Sequence, residues 1–286
     1  MPVLLLLFVG SGAAALIYEI VWLQLLQLVI GSSAVSVGVL LGTFMGGMCL
    51  GSLLLPRVVS TDRHPLRVYA ALELGIGAFG LILLIVMPLV GDLYTAWAGE
   101  GASSFVLRGL VAAICLLPPT LAMGATLPAV ARWVEATPEG VSRLGFFYAG
   151  NIAGAVFGSL LAGFYLLRVY DMRIATFVAL GLNLAVAAVA FAYASRREGL
   201  VGQVGREGQE GPGRSYEDRS RPSSPPGPSS LVYIAIALSG FCALAGEVIW
   251  TRLLGILFGA TVYTFSIILA VFLIGLGIGS SAGSAL

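Results

Sequence analysis

Two pairs of residues with the same spacing stand out for chemistry: Glu19 with Trp22 in "IYEIVWLQLL", and Glu247 with Trp250 in "AGEVIWTRLL". Residues three apart share one face of a helix, so each acid travels with an indole. Two uses fit such an acid in an apolar segment. It binds a cation or relays protons at an interhelical site, or it stays buried and hydrogen-bonds a neighbouring helix. Arg252 is five residues past Glu247, about 140° around the helix, which is poor geometry for a pair within one helix, so it is read as snorkelling to the outer interface. A third acid, Glu73 in "YAALELGIGAFG", falls about two turns into its own apolar run, within reach of the cytoplasmic side. Asn151 in "YAGNIAGAVFG" is suited to a helix–helix hydrogen bond. Glu19, Glu247, Trp22, Trp250, Glu73 and Asn151 together make the candidate intramembrane polar site.

Other chemistry finds no foothold. The sequence pairs no nucleophile with a base, and no phosphate loop survives its context. "GLGIGSSAG" at 275–283 is glycine-rich, but no strand pattern precedes it. The single histidine, His64, lies in the charged loop "STDRHPLRVY". Cys49, Cys115 and Cys242 sit inside apolar runs, match no metal spacing and read as small packing residues. No catalytic residue, cofactor or metal site is expected in this chain.

The elements that position these residues are set by composition. The 286 residues are 58% hydrophobic and 10% charged, with mean hydropathy +0.99. A soluble domain carries about 25% charged residues. The chain is therefore read as an all-α polytopic membrane protein whose partner is the lipid bilayer. A net charge of +1 leaves no electrostatic footprint for nucleic acid. Apolar runs predict about eight transmembrane helices, over 3–30, 34–56, 67–90, 105–131, 144–167, 173–195, 231–258 and 261–285. Glu19 is the only charge between Pro2 and Ile30. At the centre of a lipid-facing helix it would cost about 2.5–3.5 kcal/mol, so it is expected to face protein.

A repeat organises the helices. Positions 11–52 align without a gap onto 239–280, with Glu19 on Glu247, Trp22 on Trp250, Gly31 on Gly259 and Gly51-Ser52 on Gly279-Ser280. Six helices separate the copies, so both run in the same direction, the plan of major-facilitator-type parallel repeats. The chain thus divides into a six-helix membrane repeat (1–195), a disordered cytoplasmic linker (196–230) rich in Gly, Pro, Ser and mixed charge, and the first two helices of a second copy (231–286). Recurrence in the second copy also argues against a cleaved signal peptide at the N-terminus.

All fifteen basic residues are arginine. With the N-terminus cytoplasmic, Arg57, Arg63, Arg67, Arg132, Arg143, Arg196, Arg197, Arg206, Arg214, Arg219 and Arg221 fall on the cytoplasmic side. Only Arg108, Arg168 and Arg173 fall opposite. The positive-inside rule selects this orientation. The loop "GDLYTAWAGEGASS" is expected on the far side, with an aromatic pair for the interface. Small residues every fourth position, Gly38/Gly42/Gly46 and Gly150/Gly154/Gly158, predict close helix packing. The prolines of "CLLPPTLAMGATLP" predict a broken or kinked fourth helix.

"SGAAALIYEIVWLQLL", "GTFMGGMCLGSLL", "LAMGATLPAVAR" and "YAGNIAGAVFGSLLAGFYLL" resemble the membrane part of bacterial fused major-facilitator/spermidine-synthase-like proteins. The resemblance covers most of 8–195 and again 235–286. It implies an integral-membrane module of a polyamine aminopropyltransferase-like protein in the bacterial plasma (inner) membrane. It also implies, as partner, a C-terminal or separate soluble aminopropyltransferase-like domain that binds decarboxylated S-adenosylmethionine and a polyamine. That domain's motifs are not in this sequence, so no catalytic residue carries over. The alternative is part of a major-facilitator-type small-molecule transporter. Because the second copy reaches only "GIGSSAGSAL", the natural protein is expected to continue past Leu286, and 1–286 alone is expected to lack aminopropyl transfer.

The orientation is testable. A reporter fused near Gly211 is expected to behave as cytoplasmic in intact cells. Efficient labelling of a cysteine placed at Gly211 by an impermeant thiol reagent from outside would reverse the assignment.

Overall fold

The computed structural model describes residues 2–30, 34–60, 63–97, 102–135, 141–207, 230–259 and 261–285. The described residues are helical apart from short turns. The helices are α1 (Pro2–Ile30), α2 (Ala34–Val58), α3 (Pro65–Trp97), α4 (Ala102–Glu135) and α5 (Val141–Leu161). A π-helical turn (Ala162–Leu166) and a closing turn (Leu167–Val169) extend α5; then come α6 (Met172–Glu207), α7 (Ser230–Phe258) and α8 (Val262–Ala285). Eight of these described segments are long and apolar enough to cross a bilayer.

Three boundaries differ from the expectation. Helix α3 runs to Trp97, through half of the stretch read as an outer loop. Helix α6 runs to Glu207, into the stretch read as linker, where "RREGLVGQVGRE" has no proline to stop it. The remainder of that linker, 208–229, lies outside the described residues. Helix α4 is continuous through Pro118, Pro119 and Pro128 and is not broken. Thr120 Oγ1 donates to Leu116 O at 2.7 Å, and Thr126 Oγ1 donates to Met123 O at 2.7 Å. Neighbouring helices make proline tolerable inside a membrane helix, and α4 has α2 and α3 against it.

Helix α1 is the centre of the array. Two-thirds of its span is buried (67%), against 6% for α7, which touches only α8 and α2 to any extent. Its neighbours are α5, α6 and α3. Two aromatic clusters hold it. Near its start Phe8 stacks between Tyr69 and Phe147, with ring centroids 6.0 and 5.6 Å away. Further along, Trp22 stacks on Tyr18 at 5.1 Å and tilts against Phe44 at 6.4 Å.

Two helix pairs approach backbone to backbone. A Cβ at Gly150, Gly154 or Gly158 of α5 would collide with Leu5, Val9 or Ala13 of α1 respectively. The register rises together, so α1 and α5 are parallel, and the expectation for these glycines holds. In the second pair, Cβ atoms at Gly47 and Gly51 of α2 would strike Thr120 and Leu121 of α4, and one at Gly124 would strike the Met48 backbone. The glycine stripe of α2 is thus not the expected one. Gly42 and Gly46 have nothing within 4 Å, and Gly38 has only Val248 Cγ2 at 4.0 Å. The most extensive packing pairs map onto themselves when α1, α2 and α3 are exchanged with α4, α5 and α6: α1 on α5 becomes α4 on α2, and α3 on α4 becomes α6 on α1, whereas α1 on α3 has no comparable α4–α6 counterpart among the described residues.

Helix ends carry local signals. Asp171 Oδ1 accepts from Ile174 N at 2.8 Å and caps α6. Gly259, at φ 88°, makes the left-handed turn between α7 and α8 that a side chain would resist. Arg132 Nη1 donates to Val59 O at 3.1 Å, joining the ends of α4 and α2. Helix α8 packs on α5: Gly163 of the π turn abuts Ser266, and a Cβ at Gly277 would lie 3.2 Å from Ile152 Cγ2.

The two classes of glycine predict opposite outcomes. Gly154→Ala forces a methyl into the Val9 backbone and is expected to destabilise the detergent-solubilised protein by about 1–3 kcal/mol. Gly42→Ala meets open space and is expected to stay within about 0.5 kcal/mol of the parent. Thermal unfolding of the two variants side by side decides it; equal stability would remove the α1–α5 contact as the organising interface.

Candidate functional site

The packing of α1 against α5 leaves a cavity of about 240 Å³ on the inner side of α1. At about 30 Å³ per water it has room for roughly eight. Its walls come from α1 through α6 except that α3 gives only Ile76 and α6 only Asn183; α8 closes it with Leu269, Leu273 and Leu276. The lining is mostly apolar, with Phe44, Met45, Met48 and Met123 among it. The polar lining groups are Ser11, Glu19, Thr126, Tyr148, Asn151 and Asn183.

Glu19 reaches this cavity because α1 is central and carries it on the inward face. It is 2% exposed. Its Oε1 has no hydrogen-bond partner among the described residues, so the reading of Glu19 as a helix–helix hydrogen-bonding acid is not what the packing provides at that atom. Glu247, on α7, is 5% exposed, its Oε1 is likewise unpartnered, and the two acids are electrostatic neighbours. Two buried carboxyl groups close enough to feel each other repel when both are charged, so the pair calls for a counter-cation or for protons.

The indoles part company. Trp22 is buried in the Tyr18–Phe44 cluster, and its Nε1 has no partner among the described residues. Trp250 is 53% exposed and takes no part in the site. The repeat relates the two in sequence, but α7 lacks the neighbours that bury α1.

Glu73 is not open to the cytoplasmic side. It is wholly buried and accepts from Ser11 Oγ at 2.6 Å and from Asn183 Nδ2 at 3.1 Å; the Tyr69 hydroxyl lies beside the same carboxyl group and donates to Leu7 O at 3.4 Å. This network ties α1, α3 and α6 together just behind the cavity wall. Asn151 lines the cavity from α5, its carboxamide oxygen and backbone carbonyl against Gly12.

The site therefore joins Glu19, Glu247, Trp22 and Asn151 around or beside one cavity, places Glu73 behind its wall, and leaves Trp250 outside. Ser11, Thr126, Tyr148 and Asn183 were missed. Asn183 had a readable signal, since a carboxamide in the apolar run "VALGLNLAVAAVA" meets the same criterion that singled out Asn151. Among the described residues no group of three or more His, Cys, Asp or Glu is placed to hold a metal ion.

Comparison with models of known protein families, with curated proteins and with solved structures gave no match to this chain.

Burial of the acids is checked by reactivity. A lipid-dissolved carbodiimide is expected to leave Glu19 and Glu247 largely unmodified in native membranes and to reach both after unfolding. Rapid labelling of Glu19 in native membranes, mapped by mass spectrometry, would place it on the lipid face and dissolve the site.

Proposed function

We propose that this chain is the integral-membrane module of a spermidine-synthase-like protein, and that its interhelical cavity binds a small organic cation. The observation that carries the binding proposal is Glu19: a 2%-exposed carboxyl group, unpartnered at Oε1, lining a cavity of about 240 Å³ beside a second buried acid. A buried anion of this kind is strongly destabilised alone and is relieved by a desolvated cation. The apolar remainder of the wall, with Met45, Met48 and Met123, suits the hydrocarbon part of an amine. Phe44 and Tyr148 add aromatic surface to the lining.

The module reading rests on the sequence motifs. In it, the membrane part sits in a bacterial plasma membrane with its N-terminus in the cytoplasm, and works with a soluble aminopropyltransferase-like domain. A second reading is favoured by one feature: α8, from the second sequence copy, closes a cavity built by the first six helices. A ligand site between repeat units is the plan of a secondary transporter, so the chain as part of a major-facilitator-type carrier shares the same cation site.

Hexylammonium, with seven heavy atoms, matches the cavity in size and is the probe. Detergent-purified protein is expected to bind it with a measurable calorimetric signal. Glu19→Gln, which keeps shape and removes charge, is expected to weaken binding at least about tenfold while preserving expression and thermal stability. Undiminished binding in both Glu19→Gln and Glu247→Gln would overturn the cation site.

A further inference from the structure

Resting on the cation site just proposed, we infer that Glu73 is a positioning residue that turns Asn183 into a hydrogen-bond acceptor for the ligand's far end, so that the cavity selects a cation carrying a second N–H or O–H donor. The argument begins with what Asn183 can give. Its Nδ2 lies 3.2 Å from Glu73 O and 3.1 Å from Glu73 Oε2. A backbone carbonyl only accepts, so the amide nitrogen must face α3, and both of its hydrogens are spent there. The carboxamide oxygen is left over. Asn183 lines the cavity, is 1% exposed, and its Oδ1 has no partner among the described residues.

Ser11 behaves in the same way. Its hydroxyl donates to Glu73 Oε1 at 2.6 Å, so what it offers the cavity is a lone pair. Thr126, which also lines the cavity, spends its hydroxyl hydrogen on Met123 O. Tyr148 and Asn151, from α5, can each donate or accept and so impose no sign. One acid behind the wall has therefore drawn the donors of Ser11 and Asn183 out of the cavity. An unpartnered buried amide oxygen costs more than a satisfied one, and a ligand that donates to it recovers that difference.

Spacing separates this corner from the charge. Ser11 and Glu19 are eight residues apart on α1, about 12 Å of helix rise, and both line the cavity. An ammonium at Glu19 thus places the other end of a short chain near Ser11 and Asn183. This adds a second recognition element to the acid and distinguishes ligands that the acid alone would accept equally.

The test compares three amines on the purified protein: hexylammonium, 6-aminohexan-1-ol, and the methyl ether of that amino alcohol, which can only accept at its far end. The parent is expected to bind the alcohol about tenfold more tightly than the ether, the discrimination of one buried hydrogen bond. Asn183→Leu is expected to abolish this preference, so that alcohol and ether bind with equal affinity. Glu73→Gln brings donors of its own, releases the Ser11 hydroxyl to turn inward, and is expected to narrow the preference several-fold. A merely structural role for Glu73 would lower all three affinities together. Equal affinity of the parent for alcohol and ether overturns this inference even where the variants fail to fold, and leaves the cation site standing. Failure of all three amines to bind the parent overturns the cation site itself.

Discussion

Backbone contact between α1 and α5 governs the rest of this structure. Three glycines on α5, one per turn, remove every side chain that would hold the helices apart, and α1 is thereby drawn to the middle of the bundle. Lipid tails are as apolar as leucine, so no hydrophobic force pulls membrane helices together; packing at close range does. Once α1 is central, its polar face has no lipid to confront. Ser11 meets Glu73, Glu19 meets the cavity and Glu247, and the cost of carrying acids through a bilayer is confined to groups that protein surrounds. The pairing of α2 with α4 repeats the device with Gly47, Gly51 and Gly124.

Much of this architecture could be read from sequence, for reasons particular to membranes. Hydropathy is a local property, and a helix is the only open-chain answer to hydrocarbon, so all eight apolar helices were anticipated, although α6 overran its expected end by twelve residues. The inward face of Glu19 followed from cost alone. Where reading failed, the missing information was the identity of the neighbour. The spacing of Gly38, Gly42 and Gly46 is as regular as that of Gly150, Gly154 and Gly158, yet only the second stripe has a helix upon it. Trp250 matches Trp22 in the repeat and lies exposed because α7 has few neighbours to cover it. The prolines of α4 were judged by rules for water, where a freed carbonyl has an alternative partner outside the helix.

The polar groups divide by whether their hydrogen bonds are complete. Around Glu73 the donors of Ser11 and Asn183 are committed, and the result is a crosslink among three helices. Around Glu19 the accounting stays open: its Oε1, Trp22 Nε1 and Glu247 Oε1 all lack partners among the described residues. A buried network that is closed rigidifies, and one that is open invites a ligand or a proton. The two acids on neighbouring faces of one cavity wall thus have different work, though both are glutamates in apolar helices and sequence treats them alike.

The parallel arrangement of α1 and α5 also constrains how the protein is made. Helix α1 is synthesised before α5 and α7: the glycine face it needs arrives about 140 residues later, and the acid that neighbours Glu19 arrives 228 positions later. At synthesis rates of about 5–20 residues per second, that is roughly 7–28 s and 11–46 s of waiting. During that interval an isolated α1 would display Glu19 to lipid. Helix α3, which meets α1 through the Ser11–Glu73 bond, is made before α5 and is the neighbour available to shelter α1 until then. Biogenesis, more than final stability, is where a substitution in this first segment would exact its toll.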